Sequence, residues 1–408
     1  MANENNPFGY FLTKIRDEDI PVLSRLLSVK STLPDYALPF PQTVNNGESE
    51  ENEAGNFALM FGMKLGCGDK IKQNKTDGSY RIFKGSDIAT FYLDESASEG
   101  WVTPQDAEGK SIWGHLNEIQ NTAYAIAEIA ITLTCSKFDP QQIVFNNSAI
   151  IFVPAQEYQD FPWDIYLNSS VMRFIHLLTL RTAILLRKRC TVYPRTLKGL
   201  PVPKGIIAKT SELNRLANDL RSLSQRIKNR WDLVDLAIEN ATKQRLSTFA
   251  LDFSTWVGTA TGILTITEID GKDSLTLVNE DGERSLLYLH GPLELLKIAK
   301  YLLSENEESE VASDNLQLLE IPTNHIEITQ MIENAENPNS SEIVQFKQLI
   351  DVADETIEKA FDLSTSERAY IHKRLSEYPL GAFIPRYPWT SGAHHQKTRT
   401  YKATSRFG

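Results

Sequence analysis

The sequence predicts an α+β protein: a mixed α/β domain, a long helical spacer, a small antiparallel β-meander and a helical C-terminal part. Three observations predict it. Between residues 57 and 154, short β-rich runs alternate with Gly, Asp and Lys turns. From Leu213 to Ile227, apolar residues recur at spacings of three and four, the period of a helix face. From Gly258 the apolar period changes to two and is broken by Asp-Gly pairs, a strong hairpin signal.

In chain order, Ile20 to Val29 reads as an apolar helix ahead of Pro34, Pro39 and Pro41. Residues 45–56 (NNGESEENEAGN) are polar and acidic and read as a flexible linker. Strand-like pieces follow at 57–65, 79–83 and 88–93, and residues 115–133 read as a helix passing into a strand. Residues 142–154 suggest two short strands around an Asn-Asn-Ser turn. Residues 163–189 are apolar on most sides and end in bases, as a buried helix with cations at its C-terminal end would. The Pro/Gly-rich stretch 193–205 reads as an extended connector.

A second helix starts at a Thr210-Ser211 cap with Glu212 in its first turn. Leu213, Leu216, Leu220, Leu223 and Ile227 form its stripe, while Arg215, Arg221, Arg226 and Lys228 fall off it. Such spacing calls for a partner helix, in this chain or in another subunit. Runs 263–269 and 274–279 flank Asp270-Gly271, and 285–290 follows Asp281-Gly282, giving a three-stranded meander. Pro292 opens a helix ending near Leu303, before the acidic loop 305–310. Residues 341–361 and 366–378 read as helices around a Ser364/Thr365 cap, and the last stretch lacks periodicity. The expected divisions are 1–56, 57–205, 206–250, 251–290, 291–380 and a basic aromatic tail at 381–408.

The composition, 41% hydrophobic and 23% charged over 408 residues, is ordinary for a globular chain. No run of eighteen apolar residues predicts a membrane span, and the N-terminus lacks a secretory pattern, so a cytoplasmic location is expected. Cys67, Cys135 and Cys190 lie far apart and outside any metal-ligand spacing, and no histidine pair resembles HExxH. No metal or cofactor is expected.

The charge is unevenly spread. The chain sums to −11, yet between Arg181 and Arg230 thirteen Lys/Arg face only Glu212 and Asp219. The end adds Arg386, Lys397, Arg399, Lys402 and Arg406 without an acid. Such partition fits a polyanion-binding face on an otherwise acidic body, with nucleic acid the first candidate. The alternative is that acidic and basic lobes complement each other within the fold or across a subunit interface.

Motifs for catalysis are incomplete. Lys64-Leu65-Gly66-Cys67-Gly68-Asp69 has a strand before a glycine turn, as in S-adenosylmethionine sites, but no helix pattern follows. There is no Pro-Pro, so the loop that holds a flipped adenine in N6 methylation is absent. Asp270-Gly271-Lys272 with Asp252 faintly matches a Mg²⁺ nuclease site, the first rival reading, but Asp-Gly is also the turn that its flanks demand. GxSxG and GxxxxGK[ST] are absent. Lys84-Gly85 lies between two strands, where backbone can approach a phosphate, and Pro385 to Trp389 combines aromatics with Arg386.

Taken together, FKGSDI (83–88), QIVFNNSAIIFVP (142–154), Leu167-Asn168-Ser169, Leu200-Pro201-Val202-Pro203 and the stretch from Asp351 through Phe361-Asp362-Leu363-Ser364 to Glu367 form a family-like string. It resembles the C-terminal target-recognition region of type IIG-like N6-adenine DNA methyltransferases of restriction–modification systems, over about 57–250 and 340–378. The methyltransferase domain is not found in this sequence. The resemblance therefore implies a non-catalytic DNA specificity component, acting on double-stranded DNA with a separate methyltransferase or restriction subunit in restriction–modification or phage defence. Lys84, Arg187, Lys188, Arg189, Arg195, Lys198, Lys204, Arg386, Lys397 and Arg399 are the expected phosphate contacts. A protein-binding adaptor of a defence complex is the second rival.

Overall fold

The computed structural model describes residues 15–38, 59–63, 70–93, 98–103, 122–130, 133–180, 190–192, 194–249, 252–253, 259–278, 284–303, 309–312, 318–337 and 339–376. Helices and several small, mainly antiparallel sheets make it an α+β protein. The described residues divide into two compact units. The first takes those within 1–184, 189–224 and 345–384, and the second those within 185–188, 225–344 and 385–408.

In the first unit, helix α1 (Asp19–Leu27) buries Val22, Leu23 and Leu26. A four-stranded antiparallel sheet runs in the order β1 (Met60–Phe61), β10 (Ala149–Phe152), β6 (Ala123–Ala127), β8 (Cys135–Phe138). Every residue of β6 is buried, and within the stretch 115–133 expected to pass from helix to strand, 123–127 and 129–130 are strand and no described residue is helical. A three-stranded sheet orders β5 (Gly100–Val102), β2 (Tyr80–Phe83) and β9 (Ile143–Phe145), with β2 and β9 parallel. Strands β3 (Ile88–Ala89) and β4 (Tyr92–Leu93) form a short hairpin, and β7 (Ile129–Ala130) pairs with β11 (Cys190–Thr191). Ile82, Phe83, Val144, Phe145 and Ile151 lie in the core that these strands enclose.

The continuous buried helix expected over 163–189 is instead interrupted. Helix α2 (Trp163–Leu167) ends at Asn168, α3 (Ser170–Ile175) follows, and a π-helical turn covers His176–Leu180. The cause is local. Asn168 turns its amide to Cys135 of β8, accepting from the backbone N–H at 2.9 Å and donating to the carbonyl at 2.8 Å. Ser169 then caps α3 by accepting from the Met172 N–H. Burial from Phe161 to Leu178 is complete, as the apolar composition demands, and the basic end of the stretch lies outside the described residues.

The connector at 193–205 is not simply extended either. Helix α4 (Pro194–Leu197) and α5 (Lys204–Ile207) occupy its ends, each beginning at or beside a proline whose missing N–H costs nothing there. Only the middle is extended. The Leu33 N–H donates to Leu200 O at 3.1 Å and the Val202 N–H to Ser31 O at 2.8 Å.

Helix α6 (Thr210–Asn240) buries Leu213, Leu216, Leu220, Leu223 and Ile227 as the spacing predicts, and carries the stripe on through Trp231, Val234 and Ile238. Residues through Ser224 belong to the first unit and those from Gln225 to the second. Arg221, read as an off-stripe cation, turns inward. Its Nε and Nη2 donate to Asp164 at 2.8 and 2.7 Å, and the carboxylate is fully buried. Burial disfavours the guanidinium charge, but the Asp164 carboxylate more than offsets this and holds Arg221 above its ordinary value. The first unit also includes most of α9 (Ser341–Ala360) and all of α10 (Thr365–Ser376).

In the second unit a five-stranded antiparallel sheet runs β13 (Asp252–Phe253), β16 (Arg284–His290), β15 (Lys272–Val278), β14 (Thr259–Ile269), β17 (Ser309–Ala312). The expected meander is its centre. Asp270 and Gly271 adopt φ of +51° and +75°, the paired left-handed residues of a tight hairpin turn. Helix α7 (Leu293–Leu303) follows Pro292 as expected, while α8 (His325–Glu336) has too sparse an apolar spacing to be read. Strand β12 (Lys243–Arg245) pairs with β18 (Glu320–Pro322). Trp231 stacks on Tyr301 at 5.8 Å over a core that includes Leu264, Leu275, Leu289 and Ile321. No helix among the described residues is long and apolar enough to cross a membrane.

Removing one partner of a buried ion pair strands the other charge. Arg221→Ala is therefore expected to lower unfolding stability by about 3–5 kcal/mol, read as a reduced urea midpoint.

Candidate functional site

The basic stretch resolves into two groups once the side chains are placed. Arg221 is held by Asp164, Lys228 is buried against Asp232, Arg230 binds Glu342, and Lys209 pairs with Glu212 at 3.4 Å. These four cations answer the alternative reading, in which opposite charges complement each other within the fold. Lys198, Lys204, Arg215 and Arg226 are exposed and have no ion-pair partner among the described residues. Lys84 is half-buried and bound to Glu99, so its charge is compensated. Arg195 stands in α4, with its side chain outside the described residues. Arg187, Lys188, Arg189, Arg386, Lys397 and Arg399 lie outside the described residues, as do the Lys64 to Asp69 turn and the Pro385 to Trp389 segment.

Within the first unit Lys204 faces a cleft of about 850 Å³. Its walls come from α1, from α5 and the start of α6, and from the end of α9. They bring Arg25, Lys204, Lys209 and Lys359 together, with Ser28 and Thr356 between them. The walls are tied down independently of any ligand. Arg25 donates to the Asp362 carbonyl at 2.9 Å and its Nε stands 3.1 Å from Glu367. On the buried side of α1, Asp19 receives Arg374 Nε at 3.2 Å and the Tyr370 hydroxyl at 2.8 Å. Burial and that carboxylate push Tyr370 up to about 12. Sequence reasoning finds Lys204 alone, because Arg25 and Lys359 reach the cleft from distant parts of the chain.

The motif stretches singled out in the sequence also meet in this unit, and they act as scaffold. Strand β2, ending at Phe83, lies parallel to β9 in the register Phe83↔Phe145. Asp87 accepts the Lys84 N–H at 2.8 Å, and the Gly85 N–H donates to Ser148 Oγ at 2.8 Å. A Cβ on Gly85 would stand 1.9 Å from the Ser148 carbonyl oxygen, so the glycine serves contact between two turns of the chain. Tyr166 donates its hydroxyl to the Pro201 carbonyl. Ser364 and Glu367 form a reciprocal cap at the start of α10, with bonds of 2.8 and 3.3 Å.

A buried polar cluster joins α3, α9 and α10. Ser170 donates its N–H to Asp354 at 2.8 Å and its hydroxyl to Glu358 at 2.7 Å, and His372 Nε2 lies 2.8 Å from the same Glu358. Burial pushes Asp354 up to about 6 against the opposing pull of the Ser170 N–H and Arg173, while burial lowers Arg173 to about 10. The hydrogen bond to Glu358 raises His372. This is not a nucleophile–base arrangement. The serine proton points at the Glu358 carboxylate oxygen that the imidazole also contacts, not at the imidazole, and Ser170 is buried.

Other reactive groups are equally closed. Burial pushes the Cys135 thiol well up, the opposite of an activated nucleophile. Among the described residues, no cluster of three His, Cys, Asp or Glu side chains could hold a metal ion. No family model and no curated protein matches the chain.

Gly85→Ala is expected to cost about 1–3 kcal/mol by forcing two backbone segments apart, measured by chemical denaturation. The buried cluster predicts a pH dependence. Both His372 and Asp354 titrate above their ordinary values in the fold. Their stabilising contributions are full below the unfolded values and are lost as pH rises through the folded ones. Melting temperature should fall as pH rises from about 4 through the folded Asp354 value near 6 and on past the ordinary histidine range. Asp354→Asn, whose amide oxygen still accepts the Ser170 N–H, should remove the part of that slope that lies between about pH 4 and the folded value near 6.

Proposed function

We propose that the chain is a DNA-binding recognition component that contributes specificity to a restriction–modification or phage-defence complex. In this reading it works beside a separate methyltransferase or restriction subunit. The observation that carries the reading is the set of exposed cations left over after internal pairing. Lys198, Lys204 and Arg215 project from the connector and the first turns of α6 with no carboxylate partner among the described residues. Exposed, uncompensated lysines and arginines are what phosphate binding requires, since their neutralisation releases counterions from the duplex. The resemblance to target-recognition regions supports the choice of DNA over other polyanions.

The rival nuclease reading gains nothing at Asp270 and Lys272. Asp270 is a residue of the turn between β14 and β15 and Lys272 is the first of β15, and no three-residue metal cluster is formed among the described residues.

Fluorescence anisotropy with a short duplex between roughly 50 and 200 mM salt tests the proposal. Affinity should fall steeply with salt. The combined substitution Lys198→Ala, Lys204→Ala and Arg215→Ala should flatten the log–log slope by about 0.9 for each phosphate that is no longer neutralised. Absence of salt-sensitive binding, alone and with the catalytic subunit, would sink it.

A further inference from the structure

A half-open cleft of about 850 Å³ is too small for a duplex and has the volume of a small-molecule site. Its lining is specific in type. Arg25, Lys204, Lys209 and Lys359 converge from three separate segments and outnumber the two acids of the lining, Glu212 and Asp362, with the Thr356 hydroxyl among them and Val29, Pro203 and Phe361 supplying apolar wall. We infer that this cleft holds the phosphate of a nucleotide, with its nucleoside against the apolar wall. The choice of nucleotide rests on the DNA-binding reading, whereas the phosphate follows from the cleft itself.

The charges support an exchangeable anion. Lys204 has no acidic partner among the described residues. Lys359 meets Glu355 at 2.8 Å and Lys209 meets Glu212 at 3.4 Å, but all four of these side chains are about half exposed, and such surface pairs hold weakly. A phosphate dianion between the ammonium groups outcompetes a single solvated carboxylate on either one, because it carries more charge and more acceptor oxygens. Arg25 is already committed to Glu367 and the Asp362 carbonyl, so its role is to fix the wall and supply positive potential. Glu212 itself lines the cleft and also accepts from the Thr356 hydroxyl at 3.1 Å, so a phosphate at Lys209 takes the place of that carboxylate. Preformed walls lower the ordering cost of binding.

The phosphate has two possible sources, a free mononucleotide or the phosphorylated end of a DNA strand. Calorimetric titration of the full chain with AMP, adenosine, and a short oligonucleotide with and without a 5′-phosphate separates them. AMP or the phosphorylated strand should bind, and adenosine and the unphosphorylated strand should bind at least about tenfold more weakly. The stronger of the two phosphorylated probes identifies the source. Lys359→Ala should weaken phosphate-dependent binding by about tenfold while leaving salt-sensitive duplex binding unchanged, since Lys359 is outside the proposed duplex contacts. A melting curve of Lys359→Ala matching the parent confirms that the loss is local. Loss of the 5′-phosphate or of the AMP phosphate making no difference to binding in either pair of probes, or phosphate-dependent binding unaffected by Lys359→Ala, overturns the inference. Loss of duplex binding with AMP binding intact would instead overturn the recognition reading and leave the cleft standing.

Discussion

The buried pair between Asp164 and Arg221 is the constraint on which the first unit is built. The apolar stripe of α6 supplies most of the energy that holds this helix down, at about 25 cal/mol for each Å² of apolar surface removed from water. A stripe of leucines at helical spacing, however, tolerates a slip by one turn with little loss. A fully buried carboxylate does not, because any slip removes both of its guanidinium donors at once. Ser224 adds a second fixed point by donating to the Thr90 carbonyl at 2.7 Å. The pair thereby sets the register of α6 on α2. Asn168, immediately after α2, ties that helix to Cys135 of the sheet. Register therefore passes from sheet to α2 to α6, and Lys204 and Lys209 just ahead of α6 inherit their positions.

The fate of the basic stretch follows from the same physics of burial. A cation on the inner face of a long helix survives only when it is paired, and Arg221 and Lys228 both are. Cations on the outer face or on the connector need no partner, since water solvates them. The same run of thirteen positive residues thus supplies structural pairs and an uncompensated surface set. Counting charges along the sequence merges the two, and only the placement of side chains divides them.

Legibility in the sequence tracks how local each cause is. The stripe from Leu213 to Ile227 and the Asp270-Gly271 turn are readable because periodicity and turn chemistry act within a few residues. The break at Asn168 is not, since its cause is a backbone amide on a strand more than thirty residues earlier. Pro194 and Pro203 read as marks of an extended connector, yet a proline at a helix start is compatible with the helix it opens. Helix α8 buries Ile328, Ile332 and Ala335 against a core built from other segments, so tertiary packing and not its own pattern selects it. The cleft is the least legible, because three of its four cations gain meaning only when α1, the connector and α9 are brought together.

Motif and charge carry different information in this chain. Gly85, Asn168, Ser364 and Glu367, which stand in the motif string, are occupied by contacts within the fold: a close turn, a bracketed strand and a helix cap. A residue whose hydrogen-bonding capacity is satisfied internally has little left with which to read a ligand. The string therefore describes a scaffold, and any resemblance drawn from it concerns the framework on which contacts are displayed. Ligand recognition has to come from groups the scaffold leaves unsatisfied. Among the described residues, Lys198, Lys204, Arg215 and Arg226 are exposed cations without an ion-pair partner, and Lys209 and Lys359 at the cleft are held only by half-exposed pairs, which is why both functional inferences are placed there and not on the motifs.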